Sequence, residues 1–224
     1  YNSILPSATQ YARNALFAGL MPTEIAKKYP KKWKNDDDEG GKNLFEKDFL
    51  EGNLIRNGVT GKFSYNKITN LNAGKKLVDN FSNLLQNDFN AIVYNFVDML
   101  SHARTDMEVI RELASDEAAY RSLTLSWFEH SSLLDLFKLI ADNGCDVIIT
   151  TDHGTVRVDE PSKVVGDRNT NTNLRYKQGK NLSYVKRDVF EIKRPEEAFL
   201  PQLNVSSTYI FAKDTKFFVY PNNY

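Results

Sequence analysis

Apolar residues recur at helical spacing soon after the start of the chain. Pro6-Ser7-Ala8-Thr9 leads into a run carrying Ala12, Ala15, Leu16 and Gly19, and Pro22 is positioned to close that helix. Residues 23–28 fit a second short helix. Residues 30–41 are polar and include Asp36-Asp37-Asp38-Glu39 before two glycines. That stretch reads as an exposed loop, because consecutive carboxylates do not easily converge on one ion. Residues 53–74 mix Asn, Gly and Thr with alternating apolar positions, which predicts a small irregular β insertion, and a helix follows near residues 75–87.

The strongest pattern comes next. Ala91-Ile92-Val93-Tyr94-Asn95-Phe96-Val97 is a buried-strand run ending at Asp98. Leu133, Leu136, Phe137 and Ile140 then recur at helical spacing, with Gly144 where a helix-ending glycine belongs. Val147-Ile148-Ile149-Thr150-Thr151 predicts a second apolar strand, ending at Asp152-His153-Gly154. Strand, helix and strand in that order imply an α/β fold, with a largely parallel sheet between helices. Ligands bind beyond the carboxyl ends of such strands.

Length and composition change little. The 224 residues are 41% hydrophobic and 12% aromatic, which suits a single domain over residues 1–224 with a loop and β insertion over 36–74. No apolar run reaches the ~20 residues of a membrane-spanning helix, so no membrane partner is expected. The 29 Lys plus Arg balance 29 Asp plus Glu, which points to no polyanionic partner. A lone cysteine, Cys145, excludes an internal disulfide framework, fits a reducing, cytoplasmic location and reads as a small buried hydrophobe. Tyr1 and the segment before Tyr224 read as cut ends, so residues beyond both are expected to belong to the domain.

The candidate chemistry lies in two pairs. Asp98 and His102 are four apart, so one helical turn places a carboxylate and an imidazole on one face. Both are suitable zinc ligands, although an Asp after a strand also serves as a helix cap. Asp152 and His153 directly follow an apolar strand, and Gly154 permits a sharp turn that aims both side chains at one cavity. A plain Asp-containing turn is the other reading. Two of the three histidines thus follow an aspartate at strand ends, and this coincidence favours metal ligation; His130 has no such partner and reads as structural. Thr9 opens a helix, either as a cap or as a nucleophile activated by a helix N-terminus and a metal. Gly58-Val59-Thr60-Gly61-Lys62 lacks the spacing of a phosphate-binding loop.

In this order the residues resemble the alkaline-phosphatase superfamily, especially its phosphodiesterase and PglZ members. Gly19-Leu20-Met21-Pro22 is similar to the Gly-Leu-x-Pro after the nucleophile in nucleotide phosphodiesterases. Ser7 through Asn14, Asp167-Arg168-Asn169-Thr170 and Asn173 through Lys177 resemble the PglZ domain of PorX-type response regulators. The resemblance implies a zinc-dependent phosphodiesterase with Thr9 as nucleophile, two Zn2+ (or Mn2+) ions and a nucleotide-type diester substrate. It further implies linkage to a receiver domain, with room for a homodimer. Asp98 and His102 would share one ion with a late His; Thr9, Asp152 and His153 would hold the other with an early Asp. Both missing ligands are expected outside the cut ends. A phosphomonoesterase or phosphomutase on the same scaffold is the alternative, as is a non-catalytic regulatory domain stabilised by metal. The segment 163–180 carries Lys163, Arg168, Arg175, Lys177 and Lys180 against Asp167. It reads either as a solvated basic loop or as one arching near the site, with Arg168, Arg175 and Lys177 binding substrate phosphates.

Overall fold

An alanine-rich run forms α1 (Thr9–Ala18), and the helix stops where a glycine permits it. In the computed structural model, which describes residues 3–36, 38–167 and 170–220, Gly19 takes φ +58° and returns its N–H to the Ala15 carbonyl. A residue without Cβ adopts this left-handed cap freely. A Cβ there would also meet the Asn53 side chain at 2.5 Å, so the glycine lets α1 lie close to α3 (Glu46–Arg56). Pro22 does not close α1 but opens α2 (Pro22–Lys28), where a missing N–H costs nothing, and the Glu24 carboxylate accepts the Met21 N–H at 2.8 Å.

The chain divides into two compact units: Tyr1–Gly58 with Thr151–Tyr224, and Val59–Thr150. In the second unit β1 (Phe63–Ile68) pairs in parallel with β2 (Phe89–Tyr94), from Phe63 opposite Phe89 to Ile68 opposite Tyr94. Parallel neighbours require a crossover, here α4 (Leu71–Asp79) and α5 (Phe81–Leu84). They replace the single helix expected over 75–87: α4 ends at Asn80, whose backbone N–H and side-chain amide both donate to the Lys76 carbonyl, and α5 starts directly after it. Residues 36–74 therefore hold α3, β1 and the first turn of α4. Then come α6 (Phe96–Asp106), α7 (Glu108–Leu113), α8 (Glu117–Glu129) and α9 (Ser132–Asp142). Ile68, Leu77, Phe81, Leu84 and Leu136 form this unit's core.

Two strand expectations are corrected here. The run 91–97 is not all strand: β2 ends at Tyr94, and Phe96 and Val97 begin α6, where Phe96 stacks on Trp127 at 4.0 Å. The run Val147–Thr151 is no strand among the described residues; Ile148 and Ile149 are 92% and 75% exposed. A β-rich sequence becomes a strand only when a neighbour accepts its ladder hydrogen bonds. Cys145, expected to be buried, lies exposed in the same stretch.

The first unit is completed by β3 (Glu160–Val165), β4 (Tyr176–Gly179), β5 (Ser183–Tyr184), β6 (Val189–Ile192), β7 (Thr208–Ala212) and β8 (Lys216–Val219). They form two three-stranded sheets, β5-β3-β8 and β4-β7-β6, in which β3 and β8 are parallel and the other pairs antiparallel. Tyr11 of α1 packs edge-on against Trp33, Tyr176 and Tyr209 in the larger core of this unit. The class is α/β, with small, mixed sheets. No helix among the described residues is long and apolar enough to cross a membrane.

Candidate functional site

Thr9 is the first residue of α1, and the cap position belongs to Ala8, whose side chain makes no capping bond. The Thr9 hydroxyl is therefore not used as a helix cap. Its Oγ1 lies 3.1 Å from His153 Nε2. His153 Nδ1 is 3.2 Å from the Gly154 carbonyl, which can only accept, so the proton of neutral His153 belongs on Nδ1. That tautomer leaves the Nε2 lone pair facing the Thr9 hydroxyl.

Asp152 meets α1 one turn further along. Arg13 Nε donates to Asp152 Oδ2 at 3.1 Å, and its Nη1 lies 3.4 Å from Glu46 Oε1. The side chains of Arg13, Asp152 and Glu46 are only 8%, 11% and 1% exposed, so this ion triad sits largely out of water. Glu46 is the first residue of α3, where a helix N-terminus favours a carboxylate. Ser3 Oγ donates to the Asp152 carbonyl at 2.7 Å, and the Asn43 amide donates to the Thr9 carbonyl at 3.0 Å. Residues four apart on α1 thus grip the dipeptide Asp152-His153. A cleft of about 250 Å³ opens beside Asp152, with Ala12, Leu16, Gly19 and Met21 among its walls.

The second pair lies in the other unit. Asp98 is the third residue of α6, in the first helical turn rather than at a strand end, and its Oδ1 is 3.6 Å from His102 Nε2. The Asp98 side chain is 30% exposed and that of His102 75%, so both reach solvent.

Donors about 2.0–2.1 Å from a tetrahedral zinc lie roughly 3.3–3.5 Å from one another. The separations here are 3.6 Å for Asp98–His102, 3.1 Å for Thr9–His153 and 3.7 Å for Asp152 Oδ2–His153 Nε2. Each pair therefore fits two ligands of one ion. Among the described residues no group of three or more His, Cys, Asp or Glu is gathered for a metal, so each ion would need further ligands.

The basic segment differs from expectation. It is not one loop: it holds the end of β3 and all of β4. Lys177 is buried in β4, bonded to the Asn171 carbonyl at 2.8 Å with its ammonium 4.8 Å from the Tyr220 ring centre, and burial lowers its pKa to about 8. A cation held this way supports the fold and does not reach for a phosphate in solvent. Arg175 is half-buried and donates to the Lys216 carbonyl; burial lowers its pKa. Arg168 lies outside the described residues. His130 Nδ1 sits 2.8 Å from the Ser126 carbonyl at the end of α8, a structural contact. Asp36 leaves the expected solvated run to accept from the Tyr176 hydroxyl at 3.0 Å and the Asn171 amide at 2.9 Å.

Sequence reasoning passed over Arg13 and Glu46. Arg13 carried a signal, being four residues after Thr9 and so on the same helix face; Glu46 carried none. No curated protein matches the chain. The sequence model of PglZ, described as the BREX system PglZ alkaline phosphatase-like domain, matches residues 1–224, and the chain belongs to this family.

Proposed function

We propose that this PglZ domain is a zinc-dependent phosphodiesterase with Thr9 as its nucleophile. The carrying observation is the Thr9 hydroxyl, free of any capping role at a helix N-terminus and 3.1 Å from an imidazole lone pair. Asp98 with His102 would hold one zinc and Thr9, Asp152 and His153 another, and an ion so held would supply Lewis-acid stabilisation of phosphoryl oxygens. Thr9 Oγ1 attacks phosphorus, and the P–O bond to the leaving alcohol breaks. Water then cleaves the phosphothreonine, restoring the hydroxyl and releasing a monoester. The N-terminus of α1 favours the negative charge that builds beside Thr9.

Nucleotide-type diesters as substrate rest on the likeness of Gly19-Leu20-Met21-Pro22 to nucleotide phosphodiesterases, and a place in a signalling protein behind a receiver domain rests on the likeness of the strings around Thr9 and Asp167 to PorX-type proteins. The finer fold, a largely parallel sheet between helices, belongs to the same reading.

The test is hydrolysis of a diester and a monoester by full-length, zinc-loaded protein and its Thr9→Ala variant. Wild type should prefer the diester, and Thr9→Ala should lose turnover by orders of magnitude while keeping most of its zinc. Continued hydrolysis by Thr9→Ala would refute the covalent route. A zinc-loaded parent that cleaves neither ester would instead be a regulatory domain.

A further inference from the structure

We infer that Arg13 and Glu46 are positioning residues for a divalent cation at Asp152, an assignment that rests on the metal-dependent reading above. Arg13 reaches Asp152 through Nε and Glu46 through Nη1, so one planar guanidinium spans two carboxylates. The fork sends one bond to each carboxylate, and its Nε bond to Oδ2 restrains the orientation of Asp152, which a free side chain would sample by rotation. All three groups are largely removed from solvent, so their charges are weakly screened.

The charge balance explains why the far carboxylate is present. Arg13 alone would cancel the charge of Asp152 and weaken its attraction for a cation. Glu46, 1% exposed, offsets Arg13 and returns the triad to one net negative charge. Asp152 is thus oriented by a cation without being neutralised by it. Its Oδ2 stays 3.7 Å from His153 Nε2, a separation two ligands of one ion can share. Arg13 is itself too buried to grip a phosphate in solvent.

The experiment measures Zn2+ affinity of the full-length protein by competition with a chromophoric chelator, alongside melting in zinc-free buffer. Glu46→Gln keeps the volume but leaves Arg13 charge on Asp152. Arg13→Lys keeps the charge but not the fork. Each should weaken one of two zinc sites by about 10–100-fold, the usual effect of losing a ligand's supporting partner. Melting in zinc-free buffer separates the two effects, because a fall in zinc affinity at an unchanged zinc-free melting temperature is one that a merely structural role would not produce. Wild-type zinc affinity in Glu46→Gln or Arg13→Lys would overturn the inference alone, and Arg13→Lys decides if Glu46→Gln fails to fold. A wild-type protein that binds no zinc would overturn the metal reading and this inference with it.

Discussion

Asp152 shows how one side chain serves two neighbours. Its carboxylate is an ion-pair partner of Arg13 and also stands 3.7 Å from the His153 ring. Asp152→Ala removes both contacts but leaves Arg13 facing Glu46, so no buried charge is stranded. The expected stability loss is accordingly about 1–3 kcal/mol, the cost of one lost charged hydrogen bond, rather than the larger cost of an orphaned ion. Denaturant titration of zinc-free protein measures it. Zinc content should drop at the same site and diester hydrolysis should vanish, which a turn residue would not cause. Thr9 and Arg13 were legible as neighbours on one helix face, since helical period alone puts residues four apart together.

Helix ends and strand pairing carry the next tests. Gly19 and Gly144 both sit at positive φ, +58° and +62°, but only Gly19 has a neighbour where a Cβ would go. Gly144→Ala should therefore show the cost of the left-handed backbone alone, about 1 kcal/mol. Gly19→Ala should cost more, because Asn53 must move, and melting curves of the two variants give the difference. The apolar run at 147–151 offers a second comparison. Ile149 is 75% exposed there, so Ile149→Asp should change stability by no more than about 0.5 kcal/mol. A loss of more than about 2 kcal/mol would mean that the residue is buried in a strand.

For the molecule as a whole, buried titratable groups set a pH dependence of opposite sign on either side of pH 10. Burial lowers the Lys177 pKa from 10.5 to about 8, so between those values the unfolded chain binds more protons and stability rises with pH. Tyr11, Tyr176 and Tyr209 behave in reverse. Burial raises all three, so above pH 10 the unfolded chain ionises first and stability falls. Denaturant midpoints at pH 7.5, 9.5 and 11, chosen roughly to bracket these transitions, should rise and then fall. Lys177→Met should remove the rise and leave the fall.

Helical period and residue chemistry were enough to place the start of α1 and to bring Asp98 and His102 to one helix face, both of which depend on residues within a turn or two. The same local information marked Thr9, Asp152 and His153 as candidates. It could not show that Thr9 and His153, 144 residues apart, come within hydrogen-bonding distance, nor that Arg13 bridges Asp152 to Glu46. It also misread Lys177 as exposed and Val147–Thr151 as a strand. Burial of a cation depends on which carbonyls and rings surround it, and a strand depends on a neighbour that takes its hydrogen bonds. Those partners are distant in the chain, and no periodicity in a single segment encodes them.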